Sequence, residues 1–352
     1  MTNNQLRIEQ FDTVLYNSNL NPMGIPESVK KAIASCTDSV IRYPDDYYPE
    51  LKKTLAGYAG CKENQLVLGS GSSDMLRQFI SILAPKKAMV LVPSFSEYEK
   101  VLNILGCEIV YYELDEANGY QFDIADFVGH LDSSIDLIIL GNPNNPTSQI
   151  ISRDDMETMA AVCGELETFL LIDEMYIEFV NKYEDLTAVP LTGSYDNIAV
   201  LRSTSKFFAV PGLRFAYAVT DNKEFLEKHT TVSAPNPISS ITATIITQML
   251  KDQKYIKESC SQIFTERNLI VSAMSTNKNI KLYKPNANFM LIQILKDDVT
   301  AQQIADHCKL KGIIIRNCEN IRGLSNKFIR FCFMKPSQND MLVNTILELL
   351  KD

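Results

Sequence analysis

Between residues 88 and 201 the chain alternates short, almost continuous apolar runs with longer stretches whose apolar positions recur every three or four residues. AMVLV (88–92), EIVYY (108–112), DLIIL (136–140), FLLID (169–173) and NIAVL (197–201) have the length and the Val/Ile/Leu content of strands covered on both faces. SEYEKVLNIL (96–105) and RDDMETMAAVCGELE (153–167) lie between them with helical spacing. Strand–helix alternation predicts an α/β domain with a mainly parallel sheet.

The pattern changes towards the C-terminus. A stretch from about Ser239 to Met274 reads as helical, followed by the strand ANFMLIQI (287–294) and a helix near 299–311. The strands GIIIR (312–316) and FIRFCF (328–333) and a last helix complete it. This is the pattern of a smaller α+β domain. The segment before residue 44 is too short to fold alone and is expected to pack on that smaller domain. The expected division is therefore 44–225 for the large domain, and 1–43 with 226–352 for the small one.

Composition narrows the function classes. A length of 352 residues suits about two domains. The net charge of −9 speaks against a nucleic-acid binder, which usually presents a basic face. No apolar run approaches the roughly 18 residues that span a bilayer. The opening MTNNQLRIEQFD has no charged-then-apolar export pattern, so the expected location is cytoplasmic. Eight cysteines are scattered without a C-x-x-C pair, which suits small core residues in a reducing compartment rather than a metal site. With only three histidines, catalysis must rest on Lys, Asp, Arg and Tyr.

Four strings carry the candidate chemistry. In LRSTSKFFAVPGLR (201–214), Ser203, Ser205, Lys206 and Arg214 follow a strand. Hydroxyls and a guanidinium suit a phosphate monoester, and a lysine among them can form an imine with an aldehyde. Alone, a Ser-x-x-Lys is more often an ordinary surface loop. FLLIDEMY (169–176) sets Asp173 and Glu174 at a strand end with Tyr176 beyond, where open α/β sheets bind ligands. An aspartate there can hold a pyridine nitrogen protonated, and equally a solvated acid pair or a divalent metal fits the string. In LIILGNPNNPTSQ (138–149), Asn145 could donate to a phenolic oxygen, although Asn-Pro repeats are first of all turn formers. LVLGSGSSDMLRQFISIL (66–83) places Ser72 and Ser73 at the start of an amphipathic helix, a weak phosphate cradle that matches neither a dinucleotide fingerprint nor a Walker loop.

In this order the four strings resemble fold-type I pyridoxal-5′-phosphate (PLP) enzymes of the class I/II aminotransferase superfamily. The resemblance runs from NSNLNPMG near the start to FIRFCF near the end. It implies a large domain with a mainly parallel, seven-stranded type of sheet between helices, plus a smaller α+β domain. It also implies that Lys206 carries the cofactor as a Schiff base and shuttles the substrate proton. Asp173 would pair with the pyridine nitrogen, and Asn145 and Tyr176 would bind the phenolic oxygen. Ser72, Ser73, Ser203, Ser205 and Arg214 would hold the phosphate. PSFSEYE (93–99) offers Phe95 or Tyr98 to stack on the ring. Tyr43 would reach the cofactor phosphate of a neighbouring subunit, which implies a homodimer. Arg330 would bind the acidic group of the substrate, a small phosphorylated amine or amino acid; Arg316 would partner its phosphate, and the segment from Asn19 would help set its pose.

Two branches of the superfamily share most strings. PSFSEYE, LRSTSKFFAVPGLR and GIIIRNCENIRGLSNKFIR resemble L-threonine-O-3-phosphate decarboxylases of cobalamin biosynthesis. DEMYIEF (173–179) is more similar to histidinol-phosphate aminotransferases. Ser148, Met175 and Ala216 replace a glycine, an alanine and a glycine of the usual pattern, and Ser148 and Met175 are expected near the ring. The first expectation is a phosphothreonine decarboxylase supplying an aminopropanol phosphate. The alternative is transamination of histidinol phosphate with 2-oxoglutarate, and the third is a PLP-binding protein without turnover.

Overall fold

The computed structural model describes residues 13–45, 47–232 and 236–351; the opening string read above for an export signal lies outside them. After β1 (Val14–Leu15) come the strands of a seven-stranded sheet: β2 (Leu66–Gly69), β3 (Lys87–Val92), β4 (Glu108–Glu113), β5 (Leu137–Gly141), β6 (Phe169–Asp173), β7 (Ile198–Arg202) and β8 (Ala216–Val219). Their spatial order is β2-β8-β7-β6-β5-β3-β4, and β8 alone runs against its neighbours. The expected parallel strands all form, each within one residue of the boundaries read from the apolar runs.

The reason is visible in the burial of alternate residues. Leu137 and Ile139 of β5, Leu171 of β6 and Leu201 of β7 join one core; Ile138, Leu140, Ile172 and Val200 join another. The first core is roofed by Met75, Phe79 and Ile80 of the helix Ser72–Leu83 and by Val101 and Leu102 of Glu97–Ile104. The second is covered by Met156, Met159 and Cys163 of Arg153–Glu165. Each large side chain fully removed from water contributes about 1.5–3 kcal/mol. A sheet covered on both faces has no solvated side, which is why its strands read as continuous apolar runs.

The remaining strands are β9 (Ile280–Leu282), β10 (Phe289–Ile294), β11 (Ile313–Ile314), β12 (Arg316–Asn317) and β13 (Phe328–Cys332). Four of them form an antiparallel sheet in the order β12-β13-β10-β9. GIIIR is not one strand: β11 pairs with β1, β12 pairs with β13, and Ile315 separates them. The helical stretch after Ser239 is also two helices, Ser240–Met249 and Gln253–Met274. The second begins where the Asp252 side chain accepts from the Tyr255 N–H, a local competitor for the helix backbone. No helix among the described residues is long and apolar enough to cross a membrane.

Candidate active site

The chain reverses direction across the large sheet between β3 and β5: β4 lies outward of β3, while β6 and β7 continue from β5 the other way. In such sheets the crevice beyond the carboxyl ends takes ligands. β3 is followed there by Phe95 and Tyr98, β5 by Asn145, β6 ends in Asp173 before Met175 and Tyr176, and β7 is followed by Ser205 and Lys206. With Ser72, Ser73, Arg214, Arg330 and the segment Asn17–Asn19, these residues line a cavity of about 240 Å³.

Asp173 anchors the floor of this cavity. Tyr98 Oη donates to its Oδ2 at 2.8 Å, and the Met175 N–H donates to Oδ1 at 3.0 Å. Burial pushes the carboxyl up to about 6 in spite of these two bonds. A cationic ring nitrogen beside it would restore its charge. The same bond separates the two aromatic candidates. Tyr98 is only 3% exposed and commits its hydroxyl to Asp173, whereas Phe95 is 38% exposed and stands edge-on to it. Phe95 is the ring with a free face.

Lys206 Nζ donates to the Ser18 carbonyl at 2.7 Å. Burial, then the positive charges of Arg330 and Arg214, bring its ammonium down to about 8. Its loop is held from two sides. Asn21 donates from its backbone to the Lys206 carbonyl at 3.1 Å and from its side chain to the Phe207 carbonyl at 2.8 Å. Ser203, expected to touch phosphate, points the other way. Its hydroxyl donates to the Phe215 carbonyl at 2.9 Å and accepts from the Ser205 N–H at 3.2 Å, and it does not line the cavity. Ser203 shapes the loop, because a hydroxyl two residues before an N–H closes a local turn more readily than it reaches outward.

Arg214, Ser72, Ser73 and Ser205 meet at the N-terminus of the helix Ser72–Leu83, a natural anion site. Gly71 is required at its cap. Its φ is +103°, and a Cβ there would stand 2.5 Å from Arg214 Nη2. Asn145 Oδ1 accepts from Arg330 Nη1, which leaves its amide N–H groups available to the cavity. Tyr176 Oη accepts from Asn19 Nδ2 at 3.3 Å and keeps its own proton to donate.

Arg330 also donates to the Asn17 carbonyl at 2.8 Å, while its buried Nε has no partner among the described residues. Arg316 lies directly across the ladder from Arg330 but outside the enclosed cavity. Tyr43 is not in this cavity at all. It is 88% exposed and borders a separate groove of about 460 Å³ beside the helix Ser240–Met249. Met175 lines the cavity as expected, whereas Ser148 does not. Ser148 has φ +61°, the conformation for which glycine is usual, and its hydroxyl accepts the N–H groups of Asn286 and Ala287 at 2.9 and 2.8 Å.

Sequence reasoning missed one feature. Glu174 and Arg202, both buried, pair at 2.9 Å behind the cavity. Thr187 Oγ1 and the Ala188 N–H also donate to that carboxylate. The pair fixes the last residue of β7 to the residue after Asp173. An arginine at the end of an otherwise apolar strand was the available signal.

The residues fit PLP: a lysine for its aldehyde, a carboxylate for its ring nitrogen, donors for its phenolic oxygen and a cationic helix N-terminus for its phosphate. Comparisons with known proteins point the same way. The profile described as "Aminotransferase class I and II" matches residues 12–346. A "Putative threonine-phosphate decarboxylase" of Caldanaerobacter subterraneus subsp. tengcongensis is 30% identical over 335 residues, 95% of this chain and 90% of that protein. The "Threonine-phosphate decarboxylase" of Salmonella typhimurium is 29% identical, with the same 95% and 90% coverage. Among solved structures, the histidinol-phosphate aminotransferase from Clostridium acetobutylicum gives a TM-score of 0.89 at 30% identity, covering 96% of this chain and 99% of that one.

Proposed function

The chain belongs to the class I and II aminotransferase family of PLP-dependent enzymes, and from that premise we propose that it decarboxylates L-threonine-O-3-phosphate, or a close phosphoamino acid, to an aminoalkyl phosphate used in cobamide synthesis. The bound cofactor supplies an electron sink for the bond broken at the substrate's Cα. Lys206 Nζ would hold its aldehyde carbon, Asp173 its ring nitrogen, Asn145 and Tyr176 its phenolic oxygen, and Ser72, Ser73, Ser205 and Arg214 its phosphate. Phe95 would cover one face of the ring. Lys206, brought down to about 8, can both accept and return a proton near neutral pH.

The observation that carries the phosphorylated substrate is the arginine pair. Arg316 and Arg330 are cross-strand partners, so their side chains leave the same face of the sheet. Like charges in that position repel, and among the described residues neither has a carboxylate within ion-pair distance. Two uncompensated guanidiniums suit a ligand with two acidic groups, one carboxylate and one phosphate. Decarboxylation requires the Cα–carboxylate bond to stand perpendicular to the cofactor ring, and transamination requires the Cα–H bond there. That choice falls to Arg316, Arg330 and the segment around Asn19. The strings PSFSEYE, KFFAVPGLR and NCENIRGLSNKF support the decarboxylase branch, as do the two named relatives.

A second reading, histidinol-phosphate aminotransferase, is favoured by DEMYIEF and by the Clostridium structure. We further read the enzyme as a homodimer in which Tyr43 of the partner subunit completes the phosphate site, since Tyr43 lies away from its own cavity. The test is a product assay on the holoenzyme. With O-phospho-L-threonine we expect carbon dioxide and an aminopropanol phosphate. Glutamate formed from histidinol phosphate and 2-oxoglutarate, with no reaction of phosphothreonine, would replace this reading by the second.

A further inference from the structure

Residues 318–324 join the strand that carries Arg316 to the strand that carries Arg330, and no step above uses their side chains. Two tight turns shape them, Ile321 N–H to the Cys318 carbonyl at 2.9 Å and Leu324 N–H to the Ile321 carbonyl at 3.0 Å. Cys318 and Ile321 are buried against Leu291 and Phe328 of the small sheet, so this strap has a fixed base.

Three contacts leave that base. Asn320 Oδ1 accepts from Arg316 Nη2 at 2.6 Å. Arg322 Nε donates to Glu99 Oε1 at 3.2 Å, and its guanidinium lies 4.0 Å over the ring of Tyr111. Gly323, at φ +80°, lies so near Pro93 that a Cβ would stand 3.4 Å from the proline nitrogen. Glu99, Tyr111 and Pro93 all belong to the large-sheet side, and Pro93 opens the turn that carries Phe95 and Tyr98. The strap therefore fastens the arginine ladder to the wall of the cavity.

The chemistry of the contact to Arg316 is specific. An aspartate in place of Asn320 would restrain the guanidinium but cancel its charge. Asparagine restrains it with a neutral acceptor and leaves its other donors and its charge for a ligand. A long side chain already held in place binds its partner more tightly than one the partner must order. We propose that Asn320 and Arg322 are positioning residues for specificity: the strap presets Arg316 for the substrate's phosphate and pins it against the large sheet. This rests on the reading of Arg316 as the phosphate partner.

The experiment mixes holoenzyme rapidly with O-phospho-L-threonine and with L-threonine, follows the change in visible absorbance of the bound cofactor before turnover, and takes the ratio of the two apparent Kd values. Inorganic phosphate serves as a competitor. In the wild type the phosphorylated amino acid binds more tightly, and Arg316→Ala removes most of that preference. Asn320→Ala is expected to reduce the preference roughly three- to tenfold, the range of one ordinary hydrogen bond, because this one is exposed to water. Arg322→Ala should reduce it about two- to threefold, as an exposed ion pair allows, and Asn320→Asp more than Asn320→Ala. Asn320 is exposed, so its variants should keep the wild-type melting temperature and cofactor absorbance. No preference in the wild type, or an undiminished one in Arg316→Ala, overturns the reading of Arg316 and the strap with it. A preference lost in Arg316→Ala yet within twofold of wild type in Asn320→Ala overturns the strap proposal alone.

Discussion

At Lys206 two effects act in the same direction. Burial disfavours the ammonium, and Arg330 and Arg214 repel it, so the amine is set to titrate near 8. Only the neutral amine attacks an aldehyde. The rate at which apoprotein captures PLP should therefore rise with pH up to about 8 and level off above it, followed by the growth of visible absorbance. Arg330→Met removes one repelling charge and should move that plateau to higher pH. Asp173 carries the opposite requirement, since it must be ionised to pair with a protonated ring nitrogen. Its carboxyl sits near 6, so cofactor affinity should fall as pH drops through that value. The Tyr98 hydroxyl holds the carboxyl lower than burial alone would. Tyr98→Phe is expected to move the loss of cofactor upwards by about one pH unit, a shift worth about 1.4 kcal/mol; an unchanged profile in equilibrium dialysis would show that the bond does not tune Asp173. Both residues could be singled out in the sequence, because Asp173 ends and Lys206 follows a largely apolar strand, while the roles proposed for them came from the resemblance. The division of labour between Phe95 and Tyr98 was not. It depends on which ring meets the end of β6, some 75 residues away. Ser203 failed for the converse reason: its residue type suits phosphate, and only the backbone turn shows that its hydroxyl faces inward.

Elements are held to one another by contacts that leave little trace in a pattern of apolar and polar positions. β6 and β7 were recognised from their side chains, but the Glu174–Arg202 pair that locks their ends spans 28 residues and is wholly buried. Each residue read alone is an ordinary charge at a strand end. Nearby Glu178 is also buried, its carboxyl is pushed up to about 7, and one of its oxygens has no partner among the described residues. Arg202 thus faces two carboxylates, and burial is the largest influence on the carboxyl of Glu178. Removing one member of a buried pair leaves an uncompensated charge and typically costs about 3–5 kcal/mol. Arg202→Met should destabilise the enzyme by about that much in denaturant unfolding. Arg202→Met combined with Glu174→Met should recover part of the loss, because two apolar groups replace the pair rather than half of it. A double variant no more stable than the single one would mean that Glu178, not Glu174, is the charge left exposed to the core. The splitting of GIIIR into β11 and β12 has a similar origin. Five apolar-rich residues read as one strand, but their two halves pair with different partners, β1 and β13.

For the molecule as a whole, the question is where Tyr43 acts. The segment around it exposes Ile33, Val40, Ile41, Tyr43 and Tyr47, an apolar surface of the kind that marks an interface. Tyr43 itself borders the groove beside Ser240–Met249 rather than the cavity of its own chain. If it serves the neighbouring subunit, two defective chains can make one intact site. Consider a dimer of one Lys206→Ala chain and one Tyr43→Ala chain. The cavity of the first lacks its lysine and receives the mutant residue from its partner. The cavity of the second keeps Lys206 and receives an intact Tyr43. Mixing the two inactive or weakened homodimers under conditions that exchange subunits should therefore restore activity, up to one wild-type site per hybrid. If Tyr43 served its own chain, the hybrid would hold one site without lysine and one without tyrosine, and activity would stay at the level of the Tyr43→Ala homodimer. Sedimentation of the wild type fixes the first condition, that the enzyme is a dimer at the assay concentration. The exchange assay then separates a tyrosine that reaches across the interface from one that merely packs in it. A packing role weakens only the Tyr43→Ala parent, by destabilising its dimer, and mixing cannot fully repair that defect in a hybrid that still contains one altered surface.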